Sequence, residues 1–342
     1  MKPIIQLKHS RQNELLCTSE DLRWATPEIV AKYRAKRLLK HGAIIADIGC
    51  GIGFQTFAFA EIFTKVYAVD INKEKIERAE SNAKVLGLKN IIFICGDALD
   101  QKIAAQISDV DIVFCDPERL PTEEERTLEK IIPNIKELLN LYVPITKKIA
   151  IELPPQIKKV DLVGEKEYLS VEGKLNRLTL YLGELQLAER STVILPGEAH
   201  IESNENTKNN KQIKQLKTDK LQEFLLEVDP AVTKAGLVAE LSAKTKAALF
   251  AEGKNTFFST NKMVKSSFFC HVFAVLGTCP FQKQEILKIL KKIGAGKVIL
   301  RFAVDPQEYW KLRTGYETQL IGEKKVSLFK FGEQAVVGEE II

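Results

Sequence analysis

The chain has 342 residues, 45% of them hydrophobic, with 50 Lys and Arg against 45 Asp and Glu and a formal net charge of +5. That length can bury a large core and form two domains, which excludes a disordered or peptide-sized product. No run approaches the ~18 apolar residues of a membrane span, and Met1 to Ser10 mixes Lys2, Pro3, Lys8 and His9 with aliphatics unlike a leader, so a cytoplasmic protein is expected.

Residues 1–41 read as an N-terminal helical segment. Ala25-Thr26-Pro27-Glu28 has the form of a helix start, with Thr26 as N-cap, Pro27 at the first helical position and Glu28 beside the positive dipole end. Such a helix either closes a ligand pocket, with Thr26 facing it, or is a plain amphipathic packing element.

Residues 42–200 hold the densest pattern. Ile44 to Ile48 is a short apolar run, read as a buried parallel strand, and Phe54, Phe57, Ala58 and Ile62 follow at helical spacing. Gly49, Gly51 and Gly53 therefore sit on a strand-to-helix turn, where missing Cβ atoms let backbone lie against a ligand. A dinucleotide fingerprint fails: its third glycine falls on Phe54 or Thr56, which disfavours pyrophosphate. A second strand ends at Asp70, about 20 residues past the turn, where a carboxylate can accept from ribose hydroxyls. A third ends at Gly96-Asp97, an acceptor for an adenine amine, and a fourth runs into Asp116-Pro117. Ligands of open parallel sheets lie beyond the carboxyl ends of the strands, so Asp47, Asp70, Asp97 and Asp116 should border one crevice. Glycines as packing devices and strand-end acids as helix caps are the bland alternative. A fifth strand is expected at 148–153, then two strands at 175–182 and 185–195 as an antiparallel end.

Residues 201–220 are too polar to bury and read as a flexible linker. In the C-terminal region, 221–342, Asp229-Pro230-Ala231-Val232 opens a capped helix carrying Leu237, Val238 and Leu241. From about 267 comes an α+β unit: strand 268–275, helix 284–293, strand 297–304, a segment at 307–314 and a last strand at 325–331. Lys288, Lys291, Lys292, Lys297 and Arg301 give it one basic edge. Residues 1–41 carry 9 Lys/Arg against 4 Asp/Glu, residues 42–200 carry 19 against 25, and residues 201–342 carry 22 against 16. Basic flanks around an acidic middle suit a nucleic-acid enzyme, with solvated lysine faces the alternative. Six cysteines without a C-x-x-C pair read as reduced thiols, three of them in or beside buried strands, and His9, His41, His200 and His271 show no ligand spacing, so no metal is implied.

The D-x-G-x-G-x-G turn at 47–53, with Asp70 and Gly96-Asp97 in register, resembles the class I S-adenosylmethionine-dependent methyltransferases over roughly 160 residues. The resemblance implies an α/β fold, a Rossmann-like sheet with helices on both faces. It implies S-adenosylmethionine as cofactor and S-adenosylhomocysteine as product. Gly49, Gly51 and Gly53 would underlie the methionine part, Asp47 would orient its amino group, Asp70 would hold the ribose and Asp97 the adenine; Thr26, Ile71 and Ala98 complete the expected cofactor-binding set. Asp116-Pro117-Glu118-Arg119 stands where amino-directed relatives carry an acid, Asn or Ser, then Pro-Pro and an aromatic. Asp116, Pro117 and Arg119 are the expected catalytic set, Asp116 accepting a proton and Arg119 stacking on a base or holding a phosphate. Cys115 should point away from Asp116, which disfavours a covalent pyrimidine mechanism.

Residues 24–31 and 47–53, continuing to Asp97, also resemble the trimethylguanosine synthase catalytic domain. The C-terminal region resembles the THUMP-like domain of other methyltransferases, so the expected substrate is structured RNA, tRNA foremost, methylated at a base nitrogen. Two alternatives stay open: a small-molecule or protein methyltransferase whose C-terminal domain is a lid or dimer surface, and a non-catalytic RNA-binding module. No membrane partner is expected, and no oligomeric state is implied.

Overall fold

A nine-stranded mixed sheet organises the first part of the chain. The structure, a computed structural model, describes residues 7–119, 127–157, 159–203 and 215–341. Two units separate by their internal contacts: Met1–Val171 with Leu175–Glu205, and Glu172–Lys174 with Asn206–Ile342.

The first unit runs α1 (Ser19–Trp24), α2 (Glu28–Leu39), β1 (Ile44–Ile48), α3 (Phe54–Ala60), β2 (Lys65–Asp70), α4 (Lys73–Leu86), β3 (Ile91–Cys95), α5 (Gln101–Gln106) and β4 (Ile112–Cys115). It continues through β5 (Glu118–Arg119), β6 (Ile131–Ile132), α6 (Ile135–Tyr142), β7 (Ile149–Leu153), β8 (Glu165–Val171), β9 (Lys174–Leu182), β10 (Arg190–Leu195) and β11 (Ala199–Glu202). The sheet order is β11-β10-β8-β9-β7-β4-β1-β2-β3, with β5 and β6 as a separate ribbon. The strands β7-β4-β1-β2-β3 are all parallel, β9 runs antiparallel to β7, β10 is parallel to β8, and β11 is antiparallel to β10. This is an α/β fold with helices on both faces of the sheet. Ala31, Ala35 and Leu38 of α2 and Ala58 and Phe59 of α3 pack on Ile45, Ile112, Phe114 and Ala150. The intervening Val113, Cys115, Ile149 and Ile151 point to the other face and are just as buried.

Several expectations are corrected here. Helix α2 begins at Glu28 with Pro27 at the cap position and no side-chain cap, so Thr26 is not its N-cap; the extended ψ of Pro27, 138°, sets the boundary. Strand β3 is an edge strand, so Ile92 and Cys95 are exposed where a buried strand was expected. Strand β8 was not expected at all, because Glu165 and Glu167 interrupt its apolar pattern. Both are buried: Glu165 and Glu167 ion-pair with Arg37 of α2, and Tyr33 and Tyr181 donate to Glu167 at 2.6 and 3.1 Å. The strand expected at 185–195 starts only at Arg190 and pairs with β8 rather than β9, since a 3-10 turn occupies Gly183–Leu185.

The second unit comprises β12 (Phe224–Val228), α7 (Pro230–Ala235), α8 (Val238–Thr245), β13 (Ala248–Ala251), β14 (Phe257–Thr260), β15 (Phe269–Pro280), α9 (Lys283–Lys292), β16 (Ala295–Leu300), α10 (Tyr309–Glu317), β17 (Lys324–Phe331) and β18 (Gln334–Glu340). Its sheet order is β13-β14-β12-β15-β18-β17-β16. Ile286 and Leu290 of α9 and Tyr316 of α10 pack on Val298, Val326, Leu328 and Val337, while Phe257, Phe273 and Phe329 form a separate core. The sheet therefore reaches upstream of 267, where the α+β unit was expected to start, because β12 pairs with both β14 and β15. The capped helix after Asp229 breaks at Gly236, φ 68°, into α7 and α8, and β18 follows the strand expected to be last. Residues 204–214 of the expected linker lie outside the described residues. No helix among the described residues is long and apolar enough to cross a membrane.

Candidate functional site

The glycine turn does three different jobs. Gly49 (φ 78°) closes on β4: a Cβ there would lie 2.7 Å from the Asp116 carbonyl oxygen, so only glycine lets the two strand ends approach. Gly51 (φ 55°) has open space where its Cβ would be, and its N–H donates to Asp70 Oδ2 at 2.8 Å. Gly53 (φ 94°) occupies the N-cap position of α3, and a Cβ would strike the Phe57 ring at 2.5 Å. Gly53 is not among the residues that border the cavity, and it lies against Phe57 instead.

Beyond these strand ends lies a cavity of about 690 Å³, bordered by Thr26, Asp47, Gly49, Gly51, Asp70, Ile71, Asp97, Ala98, Asp116 and Pro117. The fold thus brings together every expected site residue except Gly53 and Arg119, whose side chain lies outside the described part of the structure.

Asp47 is fully buried. Its Oδ2 accepts from Thr56 Oγ1 at 2.5 Å, while Oδ1 is buried with no partner among the described residues. Burial pushes this carboxyl up to about 7, Thr56 and Arg34 pulling it down and Asp70 and Glu152 adding to the rise. Asp70 accepts through Oδ2 from Gly51 and through Oδ1 from the Asn72 N–H at 2.8 Å, which ties β2 to the glycine turn. Asp97 is exposed, its Oδ1 accepting from the Leu99 N–H at 2.9 Å, and the Ala98 carbonyl accepts from the buried Tyr142 hydroxyl at 2.8 Å. Asp116, at the tip of β4, has no side-chain hydrogen bond among the described residues. Burial first, then Glu152, pushes it up to about 7, against the pull of Arg177 and Arg34.

As a set, the ionic floor of this cavity has no signature in the sequence pattern. Glu152 in β7 ion-pairs with Arg34 of α2 and Arg177 of β9, and both Glu152 and Arg177 line the cavity. Arg34 is fully buried, donates to Gln55 Oε1 at 2.5 Å and lies 4.5 Å from the Phe114 ring centroid. Three carboxylates, Asp47, Asp116 and Glu152, face two guanidiniums, so a proton or a cationic ligand completes the balance. Glu152 was legible in principle, since it sits near the end of an apolar run like the other acids; Arg177, alone in a strand, carried no such signal. Ile132, Pro133 and Asn134 also line the cavity, brought there because Ile132 pairs with Glu118.

These residues fit an adenosyl sulfonium. The unpartnered Asp47 Oδ1 suits an ammonium, the Gly51 surface is open, and the excess carboxylate favours a cation over a phosphate.

Residues 39–179 match a family model described as a methyltransferase domain. Over 91 residues the chain is 35% identical to a protein of Methanosarcina mazei assigned as cobalt-precorrin-6B C(15)-methyltransferase (decarboxylating), covering 26% of this chain and 48% of that one. Over another 91 residues it is 34% identical to protein-L-isoaspartate O-methyltransferase of Dictyoglomus thermophilum, covering 27% and 41%. The chain spans about half the length of these curated relatives or less. A solved structure assigned as a methyltransferase from Porphyromonas gingivalis W83 shares the fold with a TM-score of 0.75 at 18% identity, covering 95% of this chain and 83% of that one.

Proposed function

We propose that the chain, whose residues 39–179 match a methyltransferase domain, is a class I S-adenosylmethionine-dependent methyltransferase that acts on a base nitrogen of structured RNA, tRNA being the substrate to test first. S-adenosylmethionine is the cofactor of that domain, and when bound it supplies an electrophilic methyl group on a sulfonium. Asp47 would hold the amino group, Asp70 the ribose and Asp97 the adenine, with Gly49 and Gly51 as the backbone floor.

The observation that carries the acceptor reading is Asp116. Its carboxyl shares the cavity with the cofactor acids, lacks a side-chain hydrogen bond among the described residues and is pushed up to about 7. A base of that strength is matched to taking a proton from a ring or exocyclic nitrogen near neutrality. Glu152, held by Arg34 and Arg177, keeps the neighbouring charge fixed, so positioning supplies most of the rate.

The RNA reading is supported by charge. Acids outnumber bases around the cavity, even though Lys75 and Arg78 pair with Glu118 and Glu74, so a base enters more readily than a phosphate and phosphate contacts fall to the basic flanks. Exposed Lys291, Lys292 and Lys297, without ion pairs among the described residues, offer such contacts in the second unit. The THUMP-like and trimethylguanosine synthase likenesses, and a cytoplasmic setting, belong to this same proposal.

Incubating the full chain with bulk tRNA and methyl-labelled cofactor, followed by mass spectrometry of the nucleosides, tests it. A labelled base is expected. Label confined to small molecules or protein, with no salt-sensitive tRNA retention, would instead favour a small-molecule or protein acceptor.

A further inference from the structure

In the second unit, a bulge in β15 sets two soft ligand side chains beside a buried acid. Glu227 pairs with His271 and Val228 with Phe269, so Cys270 is an extra residue on that strand. Adjacent side chains of a regular strand point to opposite faces, and a bulge re-aims one of them. Here a carboxylate oxygen of Glu227, Cys270 Sγ and a ring nitrogen of His271 all lie within 4.8 Å of one another. Glu227 is only 8% exposed. Its Oε1 accepts from Asn255 Nδ2 at 2.8 Å, but Oε2 is buried without a hydrogen-bond partner among the described residues, Arg301 Nη1 standing 3.9 Å away. An acid left in that state is costly unless something completes it.

We propose that Glu227, Cys270 and His271 bind a zinc ion. Thiolate, imidazole and carboxylate are the donor types zinc takes, and three protein ligands leave a fourth position for water. The surroundings already supply an orienting partner: His271 Nδ1 lies 2.7 Å from Glu340 Oε1, and with Nδ1 so engaged Nε2 is the nitrogen that would bind the metal. Arg301 holds the other oxygen of Glu340 at 3.2 Å. A divalent ion also offsets the local charge. Glu227, Glu340 and the Cys270 thiolate give three negatives, which Arg301 with a divalent ion offsets, and Asp229, close enough to act on Cys270, adds a further negative that favours a cation. Each ion bound displaces the thiol proton to solvent. The histidines are scattered along the sequence, and the fold, by bringing β12, β15 and β18 together, assembles what spacing alone did not imply.

Cobalt is the probe. Titrating Co²⁺ into the full chain should give one equivalent of binding, with the d–d bands of a four-coordinate site and a thiolate-to-cobalt charge-transfer band, both lost on adding Zn²⁺. Cys270→Ser should abolish the charge-transfer band, while Cys17→Ser and Cys279→Ser, at the other half-buried thiols, leave it unchanged. Glu340→Gln, which removes only the orienting partner, should weaken Co²⁺ binding by about 10–100-fold. His271→Gln, at a half-exposed position, should remove the four-coordinate spectrum even if the Cys270 variant fails to fold. Absence of any cobalt spectrum in the wild type, or a spectrum unchanged in His271→Gln or Cys270→Ser, overturns the proposal.

Discussion

Replacing Asp47 by Asn removes a titration that the fold itself creates. In the native state, burial lifts this carboxyl from its ordinary 3.8 to about 7. The unfolded chain loses the proton near 3.8, so between about pH 4 and pH 7 the native state binds more protons and stability falls as pH rises. A displacement of about three pH units at 1.36 kcal/mol each corresponds to about 4 kcal/mol, an upper bound because Asp116 and Glu152 share the same pair of arginines. Asn accepts the Thr56 hydrogen bond in place of Oδ2 but has no charge to bury. Urea unfolding of both proteins without cofactor should show the variant gaining about 2–4 kcal/mol relative to wild type between pH 4.5 and pH 8. Calorimetry should show the opposite effect on ligand binding, since an amide donor now meets the cofactor's ammonium. Loss of a charged hydrogen bond of about 1.5–3 kcal/mol weakens binding about 10- to 150-fold. Wild type should also bind the cofactor more tightly at pH 8 than at pH 6, because binding favours the ionised carboxylate. Parallel stability curves for the two proteins, together with equal cofactor affinity, would refute the reasoning.

Asp70→Ala unties Gly51 and Asn72 and should weaken cofactor binding, whereas Asp116→Ala should lower turnover with affinity retained; calorimetry and labelled methyl transfer separate the two, and equal affinity in wild type and the Asp70 variant would contradict the first. Arg34→Met leaves Glu152 buried with one partner fewer and should cost about 3–5 kcal/mol in urea unfolding, a loss below about 1 kcal/mol showing the pair to be dispensable. Gly53→Ala should destabilise by about 1–3 kcal/mol through the Phe57 clash and the left-handed φ of 94°, while the folded protein keeps its cofactor affinity. Replacing Lys291, Lys292 and Lys297 together should reduce the log–log salt slope of tRNA binding by about 2–3, and an unchanged slope removes that edge from the interface.

The parallel half of the sheet and the rim of its cavity were legible because both rest on short-range information. An apolar run followed by an acid or a glycine declares a strand, though not the edge position that exposes β3, and Asp47, Asp70, Asp97 and Asp116 border one cavity. Strand β8 was illegible for the opposite reason. Glu165 and Glu167 look like solvent-facing residues until Arg37, more than a hundred positions away, is brought against them.

What the chain order alone determined, then, is a phosphate-poor nucleoside pocket at the tips of parallel strands, because strand, turn and terminal acid are neighbours along the backbone. What only the tertiary structure decided is how those acids are balanced and which glycines border the cavity. Arg34, Glu152 and Arg177 converge from α2, β7 and β9, and Gly53 turns from the cavity toward Phe57. A buried charge is set by whatever packs around it, and that company is chosen by folding, not by spacing.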